Sequence, residues 1–203
     1  MEGLKRVQIN ILLYWLGCVW LKVSGWKMEG NFPKDLKQAV LVVAHHTSNW
    51  DFPIGLAISF KMRIAPFWMG KHTLFTGRFG GFMKWLGGVP IERTMAMNVV
   101  DQVVNTFEKN DEFVLVITPE GTRSKTNHWK DGFYRIATAA NVPIVCGFLD
   151  YERKVGGFGP IIQLTNDVEK DMQKLRDFYN TVTAKFPEKV SDMKLKMRKG
   201  NSK

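Results

Sequence analysis

Two side chains suited to proton transfer lie five positions apart in the run 46–51 (HTSNWD). A carboxylate that holds one imidazole nitrogen fixes the ring tautomer, so the other nitrogen can take a proton from a hydroxyl group. Five residues on a helix rotate by about 500°, which would place the two side chains on different faces. We therefore expect His46 on a turn and Asp51 in the first turn of the next helix. A surface or helix-capping role is the alternative for such a pair.

A second candidate stretch is the run 118–125 (TPEGTRSK), which follows the apolar run 113–117. Pro119 and Gly121 favour a sharp exit from a strand, after which backbone N–H groups, hydroxyls, Arg123 and Lys125 are available as donors. Such donors suit a phosphate group, and ligands of α/β proteins bind where parallel strands end. A surface turn with incidental basic residues is the alternative.

A third candidate is Arg93, which ends the run 87–93 (GGVPIER). A guanidinium group can clamp a phosphate through two parallel hydrogen bonds. An exposed arginine at the end of a strand is the simpler interpretation of this run when it is taken alone.

Apolar, β-branched runs separated by helical patterns indicate the elements that position these residues. Continuous runs of this kind are typical of strands buried on both faces. We predict strands at 39–44, 64–68, 89–91, 113–117, 142–145 and 161–164. We predict helices at 11–21, 52–60, 74–86, 99–109, 132–141 and 168–185. Their alternation predicts a single α/β domain with a largely parallel central sheet flanked by helices.

The N-terminal region predicts an amphipathic helix that precedes this domain. Its apolar run, 11–21, is shorter than the roughly 20 residues that span a bilayer. Lys22 and Lys27 flank Trp20 and Trp26, which is typical of a helix lying among lipid headgroups. A signal peptide and a helix packed in a soluble core are the alternatives. We divide the chain into this membrane-associating region (1–30), the α/β domain (31–185) and a basic tail (186–203).

The charge of the chain points to anionic partners. There are 29 Lys and Arg against 19 Asp and Glu, a net charge of +10, and half of it lies from Lys185 onward. Such a surface attracts phosphate on nucleic acid, anionic lipid or a small substrate. Seven Trp residues favour lipid, and no nucleic-acid motif is present. The tail is either a solvated, frayed terminus or a contact with anionic lipid.

The two cysteines, Cys18 and Cys146, lie inside apolar runs and have no zinc-site spacing. We therefore predict no metal site, and two free thiols fit a reducing compartment.

Together the stretches resemble the four sequence blocks of the glycerolipid acyltransferase family, which includes the bacterial 1-acylglycerol-3-phosphate acyltransferases. The blocks are His46-x4-Asp51, 88–93 (GVPIER), 119–124 (PEGTRS) and 142–145 (VPIV). The resemblance covers about half of the chain, and it implies that His46 is a general base oriented by Asp51. It also implies that phosphate of the acceptor is bound by Arg93, Glu120, Gly121, Thr122 and Arg123. Lys71, in the run 70–74 (GKHTL), matches a basic residue that the family places near the phosphate.

This resemblance implies transfer of an acyl chain from acyl-CoA or acyl-carrier protein to the free hydroxyl of a lysophospholipid. We expect 1-acylglycerol 3-phosphate as the acceptor, phosphatidate as the product, and no cofactor beyond the acyl thioester. The expected place of action is the cytoplasmic face of a membrane, with peripheral or monotopic attachment. Another lysophospholipid or a lyso-aminolipid as acceptor, a hydrolase using the same pair, and a non-catalytic anionic-lipid-binding protein are the alternatives. Nucleic acid is not an expected partner.

Overall fold

A computed structural model of the chain describes residues 8–91 and 96–196. Its helices are α1 (Ile11–Ser24), α2 (Asp51–Met62), α3 (Gly80–Trp85), α4 (Ala96–Lys109), α5 (Gly132–Ala139) and α6 (Val168–Tyr179). Its strands are β1 (Lys27–Glu29), β2 (Gln38–Val43), β3 (Phe67–Lys71), β4 (Gly88–Ile91), β5 (Phe113–Ile117), β6 (Trp129–Lys130), β7 (Ile144–Asp150), β8 (Val155–Ile162) and β9 (Leu195–Lys196). Short 3-10 turns are formed by His72–Leu74 and Pro187–Lys189.

Seven of these strands form one sheet in the order β1-β8-β7-β2-β5-β3-β4. All neighbouring pairs in this sheet are parallel except β7 and β8, which are antiparallel. Strands β6 and β9 form a separate two-stranded ladder. The predicted fold class, an α/β domain with a largely parallel central sheet flanked by helices, is confirmed.

Strand β2 shows why the sheet needs helices on both faces. Its side chains alternate, so Val40 and Val42 lie in one apolar cluster whereas Ala39 and Leu41 lie in another. The first cluster includes Phe107 of α4 and side chains of α5 and α6. Both faces of the strand are apolar, so each must be covered by helices. This burial on both faces explains why the apolar run of β2 is continuous rather than alternating.

Helices α1 and α2 pack together on the opposite side of the sheet from α4. Leu21 of α1 joins Ile54 and Ile58 of α2 in a buried cluster. Gly17 makes the close approach possible, because a Cβ atom there would lie 2.6 Å from the carbonyl oxygen of Ala57. No helix in the described ranges is long and apolar enough to cross a membrane.

Several predicted boundaries are wrong. The helix expected at 74–86 is a 3-10 turn followed by the short α3, because glycines interrupt this stretch. The strand expected at 64–68 begins at Phe67, and the helix expected at 168–185 ends at Tyr179. Strand β7 extends well beyond the predicted 142–145, and β8 begins earlier than the predicted 161–164.

The first part of the basic tail is not a frayed terminus. The side chain of Ser191 accepts a hydrogen bond from the backbone N–H of Thr126, and Leu195 pairs with Trp129 in the small ladder. The tail as far as Lys196 therefore packs against the domain.

Candidate active site

The topology brings the candidate residues to one edge of the sheet. Strands β2, β5, β3 and β4 are adjacent and parallel, so all four end at the same edge. His46 follows β2, the loop from Glu120 to Arg123 follows β5, and Lys71 ends β3. Arg93, which the sequence assigns to phosphate binding, lies outside the described residues, two positions after β4. The carboxyl edge of parallel strands is the usual place for a ligand in an open α/β sheet.

His46 and Asp51 meet across the turn between β2 and α2, as their spacing predicts. Nδ1 of His46 lies 2.9 Å from Oδ2 of Asp51, which is the first residue of α2. The same Oδ2 atom accepts backbone N–H groups, so it is an acceptor and Nδ1 carries the proton of the neutral ring. Nε2 of His46 has no hydrogen-bond partner within the described part of the chain. The imidazole is partly exposed, so Nε2 is free to accept a proton from a bound hydroxyl.

The backbone of this turn is used to hold Asp51. The N–H groups of Thr47 and Ser48 donate to Oδ2 of Asp51 at 3.1 and 3.0 Å, and the N–H group of Trp50 donates to the side chain of Ser48. These amides are occupied by the turn itself. They are therefore not the donors that would stabilise the negative oxygen of a tetrahedral intermediate.

Glu120 lies beneath this turn rather than at the surface. Its side chain is buried, and Oε1 accepts the backbone N–H of His46 at 3.2 Å. Burial raises the pKa of Glu120 to about 7, although hydrogen bonds from its own backbone and from His46 oppose the rise. The carboxyl group thus links the loop after β5 to the turn after β2.

The other donors of the second candidate stretch are exposed. Thr122 and Arg123 are open to solvent, and Gly121 has a φ of 63° in the left-handed region that favours glycine. Lys71 is also exposed at the end of β3. The structure therefore brings His46, Asp51 and Glu120 into direct contact. It places Lys71, Gly121, Thr122 and Arg123 at the same edge, without a described contact to the His46–Asp51 pair.

The preceding histidine points elsewhere. His45 is buried, and its Nε2–H donates to the carbonyl oxygen of Tyr179 at 3.1 Å. Burial lowers the pKa of His45, which favours a neutral ring. His45 is therefore part of the core. Within the described ranges no three His, Cys, Asp or Glu side chains are grouped as metal ligands.

The sequence did not predict two contacts to the turn between β2 and α2 and to Asp51. The hydroxyl of Tyr151 donates to Oδ1 of Asp51 at 2.6 Å, and the backbone N–H of Phe186 donates to Oγ1 of Thr47 at 3.3 Å. Each contact joins residues about 100 or more positions apart, so no local spacing could have revealed them. The sequence offers one indication for Tyr151, which is that it closely follows an apolar run and is therefore expected at the end of a strand.

The chain is similar in sequence to known proteins. The model of the family described as Acyltransferase matches residues 25–147. The chain is 26% identical over 181 residues to 1-acyl-sn-glycerol-3-phosphate acyltransferase of Streptococcus pneumoniae, a match that covers 79% of this chain and 67% of that protein.

The fold is similar to that of a solved structure. The crystal structure of the 1-acyl-sn-glycerophosphate (LPA) acyltransferase PlsC from Thermotoga maritima superposes with a TM-score of 0.57 at 16% identity. The match covers 82% of this chain and 74% of that chain, and at this identity it speaks for the fold alone. Since the family model spans more than half of the 203 residues, the chain belongs to the acyltransferase family.

Proposed function

We propose that this acyltransferase moves an acyl chain from an acyl thioester to the free hydroxyl of a lysophospholipid, with 1-acylglycerol 3-phosphate as acceptor and phosphatidate as product. The observation that carries the proposal is the arrangement of His46. Its Nδ1 is held by Asp51 at 2.9 Å, while Nε2 is left without a partner in the described structure. The name of the Streptococcus pneumoniae relative supports the choice of acceptor.

In the proposed reaction, His46 acts as a general base. Nε2 takes the proton of the acceptor hydroxyl while that oxygen attacks the carbonyl carbon of the thioester. The carbon–sulfur bond then breaks, and the departing sulfur takes the proton from Nε2, which leaves an ester and a thiol. Acyl-CoA and acyl-carrier protein both supply such a thioester. The reaction needs no acyl-enzyme, and Cys146 is unsuited to form one because burial raises the pKa of its thiol to about 12.

The phosphate of the acceptor would be bound at the same edge of the sheet. Lys71 and Arg123 supply positive charge there, and Gly121 and Thr122 supply backbone and hydroxyl donors. In our proposal Arg93, which follows β4 in the sequence and lies outside the described residues, also binds the phosphate. Glu120 is grouped with these residues by sequence, but its buried carboxyl faces His46. In our proposal Glu120 holds the catalytic turn and does not contact phosphate.

A lipid acceptor implies that the protein works at a membrane surface, and we place it at the cytoplasmic face. Helix α1 supports attachment to a membrane surface, since its large apolar side chains are exposed on the side away from α2. These are Ile11, Leu12, Trp15, Leu16, Val19, Trp20 and Val23. Phe79, Phe82 and Trp85 form a second exposed aromatic set on and beside α3. Residues 52–91 contain five Lys and Arg and no Asp or Glu, which complements anionic lipid.

The test is a panel of lysophospholipids and lyso-aminolipids, each assayed with acyl-CoA and with acyl-carrier protein as donor. We expect 1-acylglycerol 3-phosphate to be the best acceptor, and His46→Ala to lower kcat by at least about a hundredfold. Circular dichroism would confirm that the variant is folded. Full activity of His46→Ala would overturn the mechanism, whereas a different best acceptor would overturn only the substrate.

A further inference from the structure

We infer that Tyr151 is a positioning residue for acyl transfer, which completes a hydrogen-bonded series of three side chains with His46 and Asp51. The inference rests on the proposed function of His46 as general base. Tyr151 belongs to none of the four sequence blocks, because it follows the last of them by six residues. It acts on the reaction through Asp51.

The two carboxylate oxygens of Asp51 accept hydrogen bonds from different donors. Oδ2 receives the imidazole Nδ1–H of His46 together with the backbone N–H groups of Thr47 and Ser48. Oδ1 receives the hydroxyl of Tyr151 at 2.6 Å, its one hydrogen bond within the described residues. The torsion that turns a carboxylate about its axis is soft. A bond to each oxygen therefore fixes the plane of the group, and with it the orientation of the imidazole.

Tyr151 is itself held from three directions. It directly follows β7, the neighbour of β2, and its backbone N–H donates to the carbonyl oxygen of Thr183 at 2.9 Å. Its ring packs edge-to-face with the ring of Trp26, with the ring centres 5.0 Å apart. Nζ of Lys185 lies 5.5 Å from the centre of the ring. The hydroxyl therefore reaches Asp51 from a fixed base, which is what orientation of a catalytic pair requires.

The hydroxyl also keeps its proton. Burial raises the pKa of Tyr151 above its usual value, and the hydrogen bond to the Asp51 carboxylate raises it further. Tyr151 is therefore a protonated hydrogen-bond donor at neutral pH. A hydroxyl with two nearby acceptors could donate to either of them. Within the described residues the Tyr151 hydroxyl donates to Oδ1 of Asp51 alone.

The test compares Tyr151→Phe with Tyr134→Phe in the full-length protein. Both variants keep the ring and remove a hydroxyl that donates to a carboxylate, but Tyr134 bonds Asp171 on the α5–α6 side of the sheet. The measurements are kcat and KM for lysophospholipid and thioester, thermal stability, and the tautomer of His46. The tautomer is read from two-bond proton–nitrogen correlations of the imidazole, assigned with His46→Ala.

We expect Tyr151→Phe to lower kcat by about tenfold to a hundredfold with unchanged KM values. In this variant His46 should show a mixture of tautomers, whereas the wild type and Tyr134→Phe should show the Nδ1–H form alone. An unchanged kcat and tautomer in Tyr151→Phe would overturn the inference, and so would an equal loss of kcat in both variants. If the wild type acylates no lysolipid, the proposed function fails, but the tautomer still tests the positioning role.

Discussion

The backbone N–H of His46 donates to Oε1 of Glu120 at 3.2 Å, which joins the turn after β2 to the loop after β5. A buried carboxyl group therefore supports the turn that contains His46, while the exposed Arg123 lies three residues further along the same loop. Glu120 holds the turn at one end of this loop, and Arg123 is proposed to bind phosphate at the other end, so the two roles can be tested separately.

Replacing Glu120 with Gln should change how stability depends on pH. The pKa of Glu120 is about 7 in the folded protein against 4.5 without burial. Its contribution to stability is therefore fully present below about pH 4.5, and it is lost as the pH rises through 7. Relative to wild type, Glu120→Gln should gain at most about 3 kcal/mol of unfolding free energy between pH 5 and pH 8. Denaturant titrations at several pH values measure this difference.

Asp171→Asn is the control for Glu120→Gln, since its effect should have the opposite sign and should change only below about pH 4, with no change between pH 5 and pH 8. Burial alone would raise the pKa of Asp171, but hydrogen bonds from Thr165, Lys174 and Tyr134 hold it below the usual range. Asp171 therefore stabilises the fold at neutral pH, and its contribution is lost as the pH falls through its lowered pKa. A pH-independent difference between wild type and Glu120→Gln would show that the carboxyl is not buried as described.

Asp51→Asn should lower kcat by roughly 10²- to 10⁴-fold, because an amide cannot hold the imidazole in the Nδ1–H tautomer as a carboxylate does. KM for the thioester should be unchanged, since Asp51 is buried and does not contact substrate in the proposed mechanism. Steady-state kinetics with both substrates measure this split. Asp35→Asn, a change at an exposed carboxylate before β2, should match wild type. Loss of binding rather than of kcat in Asp51→Asn would contradict the orienting role.

Arg123→Ala should raise KM for a phosphate-bearing acceptor by about tenfold or more and leave KM for the thioester unchanged. Lys109→Ala is the matched control, because Lys109 is exposed and lies before β5, near the N-terminal ends of the parallel strands, whereas Arg123 lies after their C-terminal ends. Both changes remove one positive charge, so a general effect of charge would move both variants alike. The same KM in Arg123→Ala and wild type would remove Arg123 from the phosphate site.

Replacing Trp15 and Trp20 with Ser should reduce binding to vesicles that contain anionic lipid by about tenfold or more, because two large apolar side chains no longer enter the bilayer surface. Both side chains are well exposed, at 59% and 42%, so the fold should be unaffected. Ile161→Ser, at an exposed apolar residue of β8, is the control and should bind as wild type does. Sedimentation with vesicles measures the binding. Equal binding by all three proteins would contradict the assignment of α1 to the membrane.

Much of the fold could be predicted from the sequence because a buried strand such as β5 coincides with a continuous apolar run. The run 113–117 is apolar throughout, and β5 occupies those five residues. Strand β1 could not be predicted because Lys27, Met28 and Glu29 have no such pattern. It lies at one edge of the sheet and pairs with β8 alone among the described strands. The stretch 74–86, which is rich in Phe, Met and Gly, predicts one helix, but its glycines weaken helix formation and α3 is short.

The candidate site divides in the same way. The contact between His46 and Asp51 could be predicted because the two residues are five positions apart and a turn joins them. The direction of the Glu120 carboxyl could not, since it is set by a contact with a residue 74 positions away. Tyr151 lies 100 positions from its partner and becomes adjacent only when β7 pairs with β2. Local spacing therefore predicts the contact between His46 and Asp51, whereas the contacts of Glu120 and Tyr151 with these residues depend on the tertiary fold.

The order of the strands has a consequence for how such an enzyme can change. In the proposed reaction the pair that transfers the proton follows β2, whereas the residues assigned to phosphate, Arg123, Lys71 and Arg93, follow three other strands of the same sheet in sequence. A loop at the end of one strand can be altered or lengthened without disturbing the hydrogen bonds of the ladder. Preference for one headgroup over another can therefore diverge between related enzymes while the proton-transfer machinery stays intact. Under the proposed function, exchanging the residues that follow β3 between relatives is accordingly a route to a new acceptor.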